Sequence, residues 1–178
     1  MKNLKKAFII ISIVFMSVIT ANAQSYTANL EFYVGTWRYT NASTGDEFTI
    51  QLRKTSRVHV KYGTINCLVG AYTYKKYGQI IVDCINQYNS QIDPLDMPIY
   101  ATNSAFEASD VKPNRLYMYV IDIGKNKTTF SNEILIISGT DPKKIRWILR
   151  NDEGEYETQD LPPTEFSIPT DIALTKVQ

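Results

Sequence analysis

The stretch FYVGTWRYT, Phe32 to Thr40, decides how the rest of the chain is read. In an extended conformation Trp37 shares a face with Gly35 and Tyr39, while Thr36, Arg38 and Thr40 take the other. A glycine two residues before an inward-facing indole lets another segment cross the strand closely. A core tryptophan of any β-domain has the same local pattern, so the surroundings must decide what this one does.

Period-two alternation recurs through the chain that follows. EFTIQLRK places Phe48, Ile50 and Leu52 against Thr49, Gln51 and Arg53. RVHVKY sets Val58, Val60 and Tyr62 against Arg57, His59 and Lys61. KIRWILR sets Ile145, Trp147 and Leu149 against Arg146, Ile148 and Arg150. CLVGAYTY, QIIVDCI, RLYMYVIDI and EILIISG are apolar on both faces, as better-covered strands are. Turn signals such as NASTGD, KKYG, GKNK, GTDPKK and NDEGE separate the runs. Strands are expected at 34–41, 46–54, 57–62, 66–74, 79–86, 115–123, 132–138, 144–150 and 168–177, with NLEFY at most one helical turn. The fold class is therefore all-β, an antiparallel sandwich or barrel of about 8–10 strands. Residues 87–114 stand out: apart from a weak extended run at MPIYAT they read as a loop too long for a compact domain. They form either a lid or an unrecognised strand.

Upstream, MKNLKK carries three lysines, an apolar run follows from Ala7 to Thr20, and ANA supplies small residues at 21 and 23. This is the pattern of a cleaved export signal over residues 1–23. The apolar run is shorter than the roughly 20 residues a helix needs to cross a bilayer. The expectation is an exported protein, periplasmic or secreted, with no transmembrane segment after cleavage. A single domain then spans 24–178, 155 of the 178 residues, enough to bury a core without a metal or disulfide staple. Without Lys2, Lys5 and Lys6 the chain's net charge of +1 becomes −2, 16 bases against 18 acids. That balance asks for no nucleic-acid or anionic-membrane partner.

Cys67 and Cys84 flank a hairpin whose register decides whether they meet. A two-residue loop at Lys75–Lys76 would set them opposite each other. A KYG loop with Gly78 left-handed pairs Cys84 with Gly70 and Cys67 with Gln87, and is the better turn chemistry. No disulfide is expected on that register.

The inventory for catalysis is thin. His59, the one histidine, alternates with Arg57 and Lys61 on a solvent face and has no evident orienting partner. The cysteines lack the spacing of a zinc or redox site. The acidic groups DPLD (Asp93, Asp96) and NDEGEYE could hold a calcium ion only if backbone carbonyls converged on them; the second lacks the alternating pattern of a calcium loop and reads as a solvated turn. No enzyme activity, catalytic residue, cofactor or metal site is expected. Tyrosine is abundant, 12 in the chain, with Tyr72 and Tyr74 on one face, as are Tyr117 and Tyr119.

A helical turn followed by Gly-x-Trp on the first strand of an antiparallel protein of this size resembles the lipocalin and fatty-acid-binding superfamily. The resemblance implies an up-and-down barrel whose tryptophan closes the base beneath a basic side chain from the last strand. The matching positions here are Gly35, Trp37 and Lys176, where the superfamily more often has arginine. Arg146 or Arg150 could take that place. The fatty-acid-binding branch inserts two helices after the first strand, and only NASTGD stands there in this chain. VGTWRY, LVGAYTYKKYG and FSIPTDIALTKV together are similar to a family of small exported bacterial proteins whose domain has no assigned function.

Two functional expectations follow from the barrel. One is a carrier of a small apolar molecule, in a cavity lined by Tyr39, Phe48, Ile50, Leu52, Val58, Val60, Met118 and Trp147. The alternative is an envelope or extracellular interaction module with a filled core and no small-molecule ligand. Its contacts would be residues 87–114 and the tyrosine pairs.

Overall fold

The computed structural model describes residues 29–59, 63–88, 92–102, 114–141, 143–151 and 165–177. The leader read over 1–23 and the acidic run from Asp152 to Glu157 lie outside them. Asn29 caps a single helical turn, α1 (Leu30–Tyr33), its side-chain oxygen accepting the Glu31 amide at 3.1 Å. Val34 returns the chain to extended backbone. Nine strands follow: β1 (Gly35–Asn41), β2 (Asp46–His59), β3 (Gly63–Lys76), β4 (Gln79–Asp83), β5 (Ile99–Thr102), β6 (Arg115–Asp122), β7 (Lys127–Ser138), β8 (Lys144–Ile148) and β9 (Asp171–Val177).

Every pairing is antiparallel. The sheet runs β2, β1, β9, β8, β7, β6, β5, β3, and β3 pairs back onto β2, so eight strands close a barrel. Closure removes the exposed edges that an open sheet of this size would leave. β4 is the added strand. It lies along β3 at Thr73–Lys76, and β5 lies along β3 at Cys67–Gly70. Because β2 follows the whole of β3 on the opposite edge, β4 and β5 share one edge and form two halves of an interrupted strand. Between them the chain leaves the barrel and packs Tyr88, Ile92 and Met97 against Cys67, Val69 and Tyr100. These partners alternate with the inward Leu68 and Ala101, so this flap covers the outer wall.

Three expectations change. The runs expected at 46–54 and from 57 onward belong to one strand as far as His59, since Thr55 and Ser56 continue the ladder opposite Cys67 and Asn66, and residues 60–62 lie outside the described residues. The supposed loop 87–114 contains β5, a strand of only four residues held by β3 and β6 on its two sides. The β3–β4 connection is a two-residue turn, Tyr77 (φ 52) and Gly78 (φ 76), with Lys76 paired to Gln79. Such turns need positive φ at both central residues. Here the Tyr77 amide donates to Asp46 Oδ1 at 3.0 Å and the Gly78 amide to the Gly45 carbonyl at 3.1 Å. This turn and a bulge at Ile81 shift the register away from both alternatives read from the sequence. Cys84 lies opposite Tyr72, its thiol donating to the Tyr72 carbonyl at 3.0 Å, and Cys67 lies opposite Thr102. Both cysteines are free and buried.

The interior is filled by side chains. Phe48 stands with its ring centroid 5.4 Å from Trp147, 5.9 Å from Tyr72 and 6.1 Å from Tyr74. Ile50, Leu68, Met118 and Ile134 pack in the same buried cluster, each contributing about 1.5–3 kcal/mol through burial. Strand directions give the barrel two ends. One holds α1, the start of β1 and the end of β9. The other holds the β1–β2, β3–β4 and β6–β7 turns and the segment 165–170 leading into β9. No helix among the described residues is long and apolar enough to cross a membrane.

Candidate functional site

At the helix end Gly35, Trp37 and Lys176 meet. Trp37 is fully buried and pairs with both Ile50 and Lys176 across its neighbouring strands. Its indole N–H donates to the Tyr33 carbonyl at 2.7 Å. Phe32 packs beside it at 5.9 Å. The Lys176 amine lies 5.3 Å from the Trp37 ring and donates to the Phe32 carbonyl at 3.3 Å, so it serves both the π face and the end of α1. Burial, and then repulsion from Lys143, hold the Lys176 pKa below the ordinary lysine value. Gly35 has φ +122, and a Cβ there would stand 3.0 Å from Lys176 Cε. The other two arginines weighed for this place are engaged elsewhere. Arg146 makes a bidentate pair with Asp171 at 2.7 and 2.6 Å, and Arg150 reaches Glu133 at 2.9 Å. This end is closed, and its chemistry is structural.

The opposite end is a mouth. A cleft of about 630 Å³ opens there, walled by Tyr39, Tyr74, Leu149, Phe166, Ile168 and Ile172, with Asp46, Lys76, Asn151 and Glu165 supplying charge and hydrogen-bonding groups. One wall is the segment 165–170, a strap tied to the barrel at several points. The Trp147 indole donates to the Pro169 carbonyl at 3.0 Å, and the Leu149 amide donates to the Thr170 carbonyl at 2.7 Å. Ile168 is buried in the core. Ser167 is fastened to Asp122: its amide donates to Oδ2 at 2.5 Å and its hydroxyl donates to Oδ1, while the Gly124 amide adds a third bond at 3.1 Å.

Asp122 is 1% exposed and Lys127, its register partner, 4%. Lys127 donates to Asn151 Oδ1, and its amine stands 4.2 Å from the centroid of the Phe166 ring. Asn132, fully buried, donates to Thr129 Oγ1 at 2.8 Å and accepts the Arg150 amide at 3.0 Å. A buried polar layer thus lies between the apolar interior and the mouth, with its hydrogen bonds directed into the strands and the strap rather than into the cleft.

Of the residues expected to line a cavity, Tyr39 lines the mouth cleft. Phe48, Ile50, Met118 and Trp147 are packed inside the barrel. Leu52 is also buried and borders a second cleft of about 330 Å³, between the outer wall and the flap residues Ile85, Tyr88 and Met97. Val58 is 77% exposed and lines no interior space, because the β2–β3 hairpin runs past the end of the barrel there. Val60 lies outside the described residues. Asp93 caps the short 3-10 turn Pro94–Asp96 by accepting the Leu95 amide at 2.9 Å. Sequence reasoning missed Asp122, Lys127, Phe166 and Ser167. Asp122 carried one readable signal: it continues the inward face of Leu116, Met118 and Val120.

No curated protein and no solved structure matches the chain. A family model matches residues 1–177, and the chain belongs to that family, a family of unknown function (DUF6705).

Proposed function

We propose that this chain is an exported lipocalin-like barrel that binds a small amphipathic molecule at its mouth and does not turn it over. The carrying observation is the cleft of about 630 Å³. Its size falls in the range of small-molecule sites, roughly 300–1,000 Å³, and barrel mouths are a preferred place for them. Tyr39, Tyr74, Leu149 and Ile172 offer an apolar and aromatic surface, and Asp46, Lys76, Asn151 and Glu165 can orient a polar group. The packing of Phe48 against Trp147 favours a ligand seated above the core over one enclosed in it. The Ser167 hydroxyl at the cleft is engaged with Asp122 in fastening segment 165–170, and no histidine stands among the described lining residues to serve as a base, which supports binding over catalysis.

Native mass spectrometry of the gently purified protein, followed by solvent extraction, tests this reading. A co-purifying molecule is expected, lost when Tyr74→Arg places a long cation in the cleft. Protein that carries and takes up no small molecule would end the proposal.

A second reading is favoured by one observation. Ile80 and Ile81 on β4, and Tyr77 in the turn before it, are exposed, and the outer edge of β4 pairs with no strand among the described residues. Such an apolar edge suits strand addition by an envelope protein. A pull-down from envelope extract, abolished by Ile81→Lys, would support it.

A further inference from the structure

The β2–β3 hairpin extends beyond the barrel at the closed end. β1 follows β2 only as far as Leu52, and β5 follows β3 only as far as Cys67. The ladder nevertheless continues through Ser56↔Asn66, Arg57↔Ile65, Val58↔Thr64 and His59↔Gly63. Among the described residues, no other strand flanks these last pairs. They form a two-stranded ribbon reaching roughly 13 Å past the sheet, at about 3.3 Å per residue. Val58, an aliphatic side chain with 77% of its surface in water, stands on it.

Charge is segregated in the same direction. No acidic residue occurs between Glu47 and Asp83, whereas Arg53, Lys54 and Arg57 all lie on β2 towards the ribbon. Lys143 and Lys176 add to the cationic character of this end. The described carboxylates facing them are Glu31, paired with Lys54 at 2.5 Å, Asp141 in the β7–β8 turn, and Asp93 and Asp96 of the flap, where Asp93 acts on the same Tyr100 phenol that Arg57 hydrogen-bonds. Asp46, Glu47, Asp122, Glu165 and Asp171 all lie towards the mouth. The net charge of the whole chain conceals this polarity.

We infer that the closed end is a peripheral membrane face, with Val58 entering the headgroup region of a bilayer rich in anionic phospholipid and Arg53, Lys54 and Arg57 lying against its phosphates. An exposed aliphatic side chain with cations beside it on the same strand is the chemistry of interfacial anchoring. Val58, with most of its surface in water, gains by burial among acyl chains, which sets a lipid surface ahead of an acidic protein. The inference does not depend on the mouth cleft, which faces away from such a surface and stays open to the medium.

The test is co-sedimentation of the chain from Gln24 onward, which retains every described residue, with phosphatidylcholine vesicles with and without phosphatidylglycerol. Binding is expected only with phosphatidylglycerol and should weaken at high salt. The Arg53→Gln/Arg57→Gln variant should lose on the order of five-fold in partitioning for each charge removed. Val58→Asp should lose binding, and Val58→Trp should bind more tightly with a blue-shifted emission. The mouth-end variant Lys75→Gln/Lys125→Gln removes the same charge and should bind as the parent does. Absence of vesicle binding, equal binding to neutral vesicles, or equal loss in the mouth-end variant would each overturn the inference. Capture of an acidic protein without vesicle binding would do so as well.

Discussion

Lys176 passes directly beneath Gly35: a Cβ on the glycine would stand 3.0 Å from Lys176 Cε and 3.6 Å from its amine. Residues from the first and last strands are thereby fitted to one another, and the fit lets the amine reach the Trp37 ring. The glycine serves two purposes, a backbone at φ +122 and an open path for the lysine stem.

The substitution Gly35→Ala should therefore destabilise the barrel by about 1–3 kcal/mol, from backbone strain together with the displaced lysine. Denaturant unfolding checks this. Adding Lys176→Ala should recover none of the strain, since only the steric part is relieved. A Gly35→Ala protein as stable as the parent would show that the crossing is loose.

Cys84 supplies a pH dependence. Burial pushes its thiol up to about 11 from an ordinary value of 9.0, with the Tyr72 amide, which donates to its sulfur at 3.4 Å, working in the opposite direction. The folded thiol keeps its proton where the unfolded one has lost it, so the unfolded state gains as pH rises. This contribution is fully present below about pH 9 and is lost as pH climbs towards 11. Unfolding curves across that window, for the parent and for Cys84→Ala, should diverge with the parent losing stability faster. Both thiols should also resist alkylation until the protein unfolds.

The strap at the mouth depends on Asp122. Removing its carboxylate in Asp122→Ala leaves the Ser167 amide and hydroxyl and the Gly124 amide without their acceptor. A loss of about 2–3 kcal/mol is expected, against about 1 kcal/mol for Ser167→Ala. Hydrogen exchange at 165–170 should quicken in both before the strands respond. Unchanged protection there would mean that Ile168 and Pro169 hold the strap alone.

A filled interior makes its own demand. Phe48→Ala removes a ring that touches Trp147, Tyr72 and Tyr74, and about 3–5 kcal/mol should go with it. The variant should gain uptake of xenon or benzene that the parent lacks. Equal uptake by both would point to a cavity already present.

Much of the fold was readable because a barrel wall repeats one rule. The inward set Phe48, Ile50 and Leu52 alternates along β2 as the sequence implies, and Leu116, Met118 and Val120 do the same along β6. What escaped notice depended on partners distant in the chain. β5 has only four residues, too short a run to stand out although Ile99, Tyr100 and Thr102 favour extended backbone; β3 and β6 make it a strand. β7 begins at Lys127, earlier than expected, because Lys127, Thr129 and Asn132 face inward and break the apolar pattern. The mouth was the least legible part. Asp122 and Ser167 are 45 residues apart, and no local pattern announces that they bond. The ribbon at the closed end was hidden differently, since a net charge says nothing of where the charges lie.

The central claim, a ligand held at the mouth above a filled barrel, is tested most directly by fluorine NMR of protein labelled with 5-fluorotryptophan. Trp147 touches the strap through the Pro169 carbonyl, and Trp37 lies at the closed base, so the two resonances report the two ends without substitution. On titration with fatty acids and other small amphiphiles, the Trp147 signal should shift saturably while the Trp37 signal stays fixed. A shift of both together, or of neither across the series, would contradict the account.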